Sequence, residues 1–211
     1  MARTINTFET VNANIRTPKL ADPDAMATIA EVGTVPAAVA ATCIATEYGD
    51  NLIHKTVLTC TALPISIADD AGVAQYGGVK VYTFPEGLIS TFGAIISGNL
   101  ALGVTGTIIA AFTGKNALGS VAASTGVTLT STEATWLQET ANATASAAVA
   151  AISSVSIATQ LTESAGRIFD GTATPAPVFL NFAIADDVTH TAGTGTFTGT
   201  ITLCWLKVGD K

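Results

Sequence analysis

The last segment of the chain alternates strictly between apolar and polar residues, and this alternation limits the possible folds more than any other feature. Within residues 194–211, alternate positions hold Phe197, Gly199, Ile201, Leu203 and Trp205. The positions between them hold threonine at 196, 198, 200 and 202, followed by Cys204. Successive side chains of a strand point to opposite faces, and β-branched threonine suits a pleated surface. The pattern predicts a strand with an apolar core face and a threonine face that is either solvated or a seam between subunits.

The rest of the chain shares this weakly charged character. Of its 211 residues 48% are hydrophobic and 12% charged, whereas an average soluble domain is about 25% charged. Threonine, serine, asparagine and glycine must therefore supply the polar surface, which favours a protein that functions inside an assembly; an ordinary secreted β-protein is the alternative. The net charge is −7 and the nine basic residues do not cluster, so we expect no nucleic-acid partner.

Short β-branched runs between turn residues predict an all-β fold: an antiparallel β-sandwich or barrel, or a jelly roll. Residues 1–47 are interpreted as an extended N-terminal arm with a first strand or short helix, and 48–211 as the β-domain. Turns are predicted at 69–72, 85–87, 97–99 and 113–116, with a joint or bulge at Gly77-Gly78. The predicted strands cover residues 52–62, 63–68, 73–76, 79–84, 88–96, 100–104, 107–112, 121–130, 178–185 and 194–208.

The segment 131–160 departs from the strand pattern. Ser131 is a candidate N-cap for one short helix through Trp136 and Leu137. The alanine-rich tract 141–157 favours either a helix or a loose loop, because serine and threonine dilute the alanine.

Two uncharged stretches, 88–114 and 140–162, have the length of a membrane span. Turn-like glycines in the first, few large aliphatic residues in the second and no flanking basic cluster lead us to expect no membrane partner. The N-terminus has no apolar run, so we expect no secretory signal and synthesis in a cytoplasm. Cys43, Cys60 and Cys204 are an odd number without C-x-x-C spacing, so we expect reduced, half-buried thiols; a Cys43–Cys60 bridge remains open.

Catalytic patterns are sparse. The two histidines, His54 and His190, have no carboxylate or nucleophile at a recognisable spacing, and we expect one at the surface and one partly buried. No G-x-S-x-G turn is present, and the glycines near 193–199 and at Gly114-Lys115 fit neither a dinucleotide nor a phosphate-loop motif. The acidic pairs 69–70 and 186–187 lack a calcium-loop pattern. We therefore expect no enzyme activity, no cofactor and no metal.

Three segments carry a family resemblance. They are 77–87 (GGVKVYTFPEG), 170–187 with its VFLNFAIADD stretch, and the terminal GTFTGTITLCWL. Together they resemble the head decoration proteins, also called cement or minor capsid proteins, of tailed bacteriophages. The resemblance covers about a quarter of the chain and rests on structural motifs without chemistry.

The resemblance implies a β-sandwich protein that associates with itself as a trimer and lies on the outer surface of the virion. Its partner would be the major capsid protein, whose neighbouring subunits it would hold together. We expect the N-terminal arm to make one capsid or subunit contact through Ile5, Phe8, Ile15 and Arg16, because extended arms pair with edge strands. The alternative is a receptor- or glycan-binding fibre or adhesin domain, for which Trp136 is the candidate contact residue.

Overall fold

The computed structural model describes residues 32–49, 52–70, 74–103, 114–124, 128–141, 149–157, 168–185 and 193–209. These residues form ten strands and no helix, so the predicted all-β class is confirmed. The strands are β1 Cys43–Gly49, β2 Ile53–Asp70, β3 Ala74–Thr83, β4 Leu88–Gly103, β5 Gly114–Gly119, β6 Leu137–Ala141, β7 Val149–Ile157, β8 Phe169–Asp170, β9 Pro177–Ala185 and β10 Gly193–Gly209.

The strands form one curled antiparallel sheet. Eight of them follow the order β6-β5-β9-β3-β2-β10-β4-β7, while β1 pairs with β2 and β8 pairs with β4. The two ends of this path, β6 and β7, contact each other. The curl brings the inner faces of distant strands together, so that one sheet encloses its own core in a sandwich-like arrangement.

The predicted terminal strand is confirmed as β10, which lies between β2 and β4. Phe197, Ile201, Leu203 and Trp205 are fully buried, as the alternation predicted. Gly199 is half-buried, and the threonines between these positions are exposed or half-buried. The apolar side chains of β10 therefore line one side of the core.

Aromatic rings join the two sides of this core. Phe84 meets Tyr82, Trp136 and Trp205 edge to face, with ring centroids 5.3–5.6 Å apart. Trp136 also meets Phe169 at 5.8 Å. Edge-to-face pairs at these distances are favourable beyond the area that they bury. The cluster ties β3 and β10 to the segments that precede β6 and begin β8.

Residues 53–68, which fall in the two strands predicted at 52–62 and 63–68, lie in the single strand β2. Its register with β10 shifts between Phe197 and Gly199, and Ala62 at this bulge has a positive φ of 49°. The Ala62 N–H donates to Thr198 Oγ1 at 2.9 Å. Pro64 follows, between the part of β2 that pairs with β1 and the part that pairs with β3. Proline cannot donate a ladder hydrogen bond. It is tolerated at position 64 because β2 pairs there with β10 alone among the described strands.

Two predicted turns are wrong, because their residues lie within strands. Residues 97–99 continue β4, and 114–116 begin β5. Gly98 lies opposite Gly199 in the register of β4 and β10. A Cβ on Gly98 would lie 2.7 Å from the Gly199 Cα, so this glycine allows two backbones to approach rather than making a turn. The predicted joint or bulge at Gly77-Gly78 is also wrong, because β3 continues through both glycines without a register shift.

The predicted helix at 131–137 and the predicted strand at 121–130 are also wrong. Residues 131–134 form turns and β6 begins at Leu137, while the described residues of 121–130 are not in a strand. The tract 141–157 contains β7, which pairs with β4. Pairing with a neighbouring strand overrides the helix propensity of alanine.

The predicted turn at 85–87 and the strand at 178–185 agree with the structure, where Gly87 has a φ of 125° and β9 spans the second segment. The proposed boundary between residues 47 and 48 falls within β1. Several other predictions lie outside the described residues: the arm up to residue 31, the turn residues 71–72, the strand 107–112 and the acidic pair 186–187.

Candidate functional site

The four predicted contact residues of the arm, Ile5, Phe8, Ile15 and Arg16, lie outside the described residues, as does His190. The candidate site that the structure describes is instead a sheet face. We call it the outer face and define it as the outward side of β1, β2, β10 and β4. Its exposed and half-buried side chains include Ile44, Thr46, Tyr48, Ile53, Lys55, Val57, Thr59, Phe92, Ile95, Ser97, Thr200, Thr202, Cys204, Leu206 and Val208.

Strand register arranges these side chains in rows across the sheet. Each row crosses β1, β2, β10 and β4 in that order, so four backbones hold it in place. Most of the row members are β-branched and therefore stiff at χ1, which lowers the entropy lost when they are covered. The rows are Ile44–Thr59–Thr200–Ser97, Thr46–Val57–Thr202–Ile95 and Tyr48–Lys55–Cys204–Gly93.

Large apolar side chains stand out from this face. Ile44 is 66% exposed, Ile53 49% and Val208 51%. Phe92 is exposed beside the register shift between β4 and β10, and Ile95 is exposed in the middle row. Single exposed apolar residues are normal, but several on one face of a sheet are typical of a candidate contact surface.

The outer face carries almost no charge. Among its side chains Lys55 is the one with a charge, and its Nζ lies 5.5 Å from the centroid of the Tyr48 ring. Burial raises the pKa of the neighbouring Cys204 thiol, and the charge of Lys55 opposes that rise. Although the whole chain has a net charge of −7, none of these side chains is acidic, so this face can approach an acidic surface with little repulsion.

The edge of the outer face is the strand β1. It pairs with β2 along one side, and its other side has no ladder partner among the described strands. An edge of this kind presents backbone donors and acceptors to a partner strand. The outer face and this edge are therefore adjacent candidate contact surfaces.

Beneath the outer face lies a buried polar network. Trp205 Nε1 donates to Thr56 Oγ1 at 2.8 Å, and Thr56 donates to Glu47 Oε1 at 2.7 Å. The Tyr82 hydroxyl also donates to Glu47 Oε1 and accepts from the Gly33 N–H at 2.9 Å. The network links the strands β1, β2, β3 and β10 to one another and to the segment around Gly33.

Burial governs the ionisation of this network. It raises the pKa of the Glu47 carboxyl, and the hydrogen bonds from Tyr82 and Thr56 offset part of the rise. Burial, together with the nearby Glu47 charge, also raises the pKa of Tyr82. His54 is fully buried, more so than expected, and stacks on Trp205 with centroids 3.8 Å apart. Thr56, Tyr82 and Trp205 are fully buried as well, whereas Glu47 is half-buried, and the network joins neighbouring strands.

A second polar cluster holds the segment between β5 and β6, which we call the 120–136 loop. Glu133 Oε1 accepts from the Ser124 N–H at 2.7 Å, and Oε2 accepts from the Thr130 N–H at 2.7 Å. The hydroxyls of the same two residues also donate to the carboxylate. Burial alone would raise the pKa of Glu133, but these four hydrogen bonds lower it below the usual range.

Asn181 of β9 fastens this loop to the sheet. Its Oδ1 accepts from the Ala123 N–H at 2.9 Å, and its Nδ2 donates to the Val121 and Glu133 carbonyls at 2.9 and 2.7 Å. A Cβ on Gly78 would lie 2.3 Å from Asn181 Oδ1, so the glycine on β3 leaves room for the amide. The Asn181 amide is therefore buried with both its oxygen and its nitrogen hydrogen-bonded to the loop backbone.

Trp136, the candidate contact residue for a glycan, is buried. It is 4% exposed, and its Nε1 donates to the Pro177 carbonyl at 3.0 Å. A ring enclosed in the aromatic cluster cannot stack on a sugar. The expectation of an exposed Trp136 is therefore wrong.

The sequence indicated only part of this site. It predicted the threonine side of β10, but not its continuation through β1, β2 and β4, although positions 53, 55, 57 and 59 of β2 already alternate with buried ones. Glu47 and Glu133 were missed because nothing in their local sequence marks a buried acid.

Comparison of the chain with protein-family models, with curated proteins and with solved structures finds no match. Among the described residues, no three side chains of the metal-binding types come together. In the same part of the chain, no helix has the length and hydrophobicity of a transmembrane segment.

Proposed function

We propose that this protein is a structural virion protein that binds the outside of an assembled phage capsid and stabilises contacts between major capsid subunits. In this proposal it is made in the host cytoplasm and acts on the capsid surface as an oligomer, a trimer. The observation that carries the proposal is the outer face, a rigid, four-stranded surface with a single charged side chain.

The physical argument starts from desolvation. A partner that covers threonine, isoleucine and valine displaces water from apolar area and loses few strongly hydrated charges. Threonine hydroxyls can exchange bonds with water for bonds with a partner backbone. Such a surface suits a broad, permanent contact better than selective recognition of a small charged ligand.

Stabilisation then follows from mass action. A protein that binds the assembled lattice but not the free subunits lowers the free energy of the lattice by RT ln(1 + [L]/Kd). This mechanism needs no chemical reaction. The proposed N-terminal contact through Ile5, Phe8, Ile15 and Arg16 would add to the affinity by pairing with an edge strand.

The test uses shells purified from a phage that lacks this gene. The full-length protein is expected to bind them saturably and to raise their disruption temperature. Ile95→Glu places an acid in the middle row of the outer face and is expected to weaken binding at least tenfold, because an unpaired carboxylate would be buried. Ile168→Glu makes the same change at a residue that is 54% exposed outside this face, and is expected to bind like the wild type.

The outcomes separate the parts of the proposal. Equal binding by Ile95→Glu and Ile168→Glu would remove the outer face as the contact. Deletion of residues 1–24 is expected to weaken shell binding while circular dichroism stays unchanged, and unchanged binding would remove the arm. Absence of shell binding together with binding on a glycan array would favour the fibre or adhesin alternative, although the burial of Trp136 weighs against it.

A further inference from the structure

Two cysteines lie opposite each other on neighbouring strands. Cys43 of β1 and Cys60 of β2 are register partners, each 1% exposed, and their Sγ atoms are 2.9 Å apart. Both thiols are free. All three cysteines were expected to be half-buried. This is correct for Cys204, but Cys43 and Cys60 are fully buried.

The backbone around this pair has the geometry that a disulfide needs. The Thr61 N–H donates to the Thr42 carbonyl at 2.7 Å, and the Cys43 N–H donates to Val39 at 2.8 Å. The pair 42/61 is therefore the hydrogen-bonded one, and Cys43 and Cys60 form the adjacent non-hydrogen-bonded pair. Such pairs have Cα atoms about 4.5 Å apart, which lies within the disulfide range of about 4.4–6.8 Å.

We propose that Cys43 and Cys60 form a reversible intramolecular disulfide that joins β1 to β2, with a low-molecular-weight disulfide such as oxidised glutathione as the oxidant. This inference does not depend on the proposed function.

The reaction is a double thiol–disulfide exchange. The Cys43 thiolate attacks one sulfur of the small disulfide, forms a mixed disulfide and releases one thiolate. Cys60 then loses its proton and attacks the Cys43 sulfur, which releases the second thiolate. Two protein thiols are oxidised and one small disulfide is reduced to two thiols, so atoms and electrons balance.

The two sulfurs share one hydrogen bond, which affects their pKa values in opposite directions. The hydrogen bond with Cys60 lowers the pKa of Cys43, although burial opposes this. The same hydrogen bond, with burial, raises the pKa of Cys60. The lower pKa favours Cys43 as the first nucleophile and Cys60 as the resolving thiol, while either sulfur can be the donor in their hydrogen bond. Cys204 cannot compete in the folded protein, because it lies on the outer face while the pair points into the core.

The bond would hold the edge strand in place. It would form in an oxidising compartment and be absent in a reducing one. The two residues are 17 apart in sequence, and closing a loop of that length is expected to raise Tm by roughly 6–12 °C in a chain of this size.

The experiment avoids the question of access to buried thiols. Full-length protein, reduced and unfolded, is refolded in excess oxidised glutathione, then alkylated and mapped by mass spectrometry. We expect a Cys43–Cys60 peptide pair, one alkylated thiol at Cys204, and a Tm that falls by the stated amount on reduction. Cys204→Ser is expected to keep the bond and the shift, and Cys60→Ser to lose both.

Alkylated Cys43 and Cys60 in the refolded wild type would overturn the proposal, as would a bond that involves Cys204. Because the wild-type map decides between these outcomes, a failure of Cys60→Ser to fold does not affect the test. A bond without any Tm change would overturn the role in holding β1.

Discussion

Asn181 connects β9 to the 120–136 loop, and its replacement by alanine tests whether this loop is part of the stable fold. The side chain is fully buried and makes three hydrogen bonds to the backbone of the loop. Alanine at this position removes all three and leaves their partners, the Ala123 N–H and the Val121 and Glu133 carbonyls, without the amide.

The expected loss of stability follows from those three groups. A buried polar group that loses its partner costs about 1–3 kcal/mol, and the Ala123 and Glu133 groups are the more enclosed. Water can reach the Val121 carbonyl more easily, because that bond is only partly buried. We expect a total of about 4 kcal/mol, near the upper end of single substitutions.

Urea unfolding followed by tryptophan fluorescence measures this loss. With an m-value of about 2 kcal/mol per molar, a loss of about 4 kcal/mol lowers the midpoint by roughly 2 M. Hydrogen exchange at the Ala123 amide should show a matching loss of protection, because its acceptor is gone.

Asn99→Ala is the matched control, since Asn99 is exposed on β4. It should change stability by no more than about 0.5 kcal/mol. If Asn181→Ala behaves like this control and the Ala123 amide keeps its protection, the reasoning is refuted, and the loop is held by other contacts.

Two acids are expected to give opposite pH dependences. The pKa of Glu133 is lower in the folded than in the unfolded protein. Its carboxylate therefore stabilises the fold at pH values above the unfolded pKa, and this stabilisation is lost as the pH falls through the folded pKa. Glu133→Gln should thus lower Tm more at pH 7 than at pH 3. The folded pKa of Glu47 is raised, so stability is lost as pH rises from its ordinary value of 4.5 through the folded one. Glu47→Gln should then gain in Tm relative to the wild type between pH 4 and pH 7. Thermal scans of both variants check this, and pH-independent differences would contradict it.

The segments whose conformation is set by near neighbours were predicted well. The alternation in 194–208 and the β-branched run 178–185 specify strands because a period of two is a local property of the backbone. The glycine at 87 specifies a turn for the same reason, since its φ of 125° is hard for other residues to adopt. Fold class could therefore be read from the sequence.

What the sequence could not decide depends on contacts between distant strands. Gly98 seemed to mark a turn, but its role is to let β4 approach Gly199. The sequence around Glu133 resembled the start of a helix, yet its carboxylate accepts hydrogen bonds from backbone N–H groups of its own loop.

The sequence by itself determined that the chain is all-β, weakly charged and built around an apolar terminal strand, because composition and local periodicity carry that information. Only the tertiary structure decided which strands share the outer face, which acids are buried, and that Cys43 meets Cys60. Those properties follow from the register between strands that are far apart in the chain, and no local pattern specifies that register.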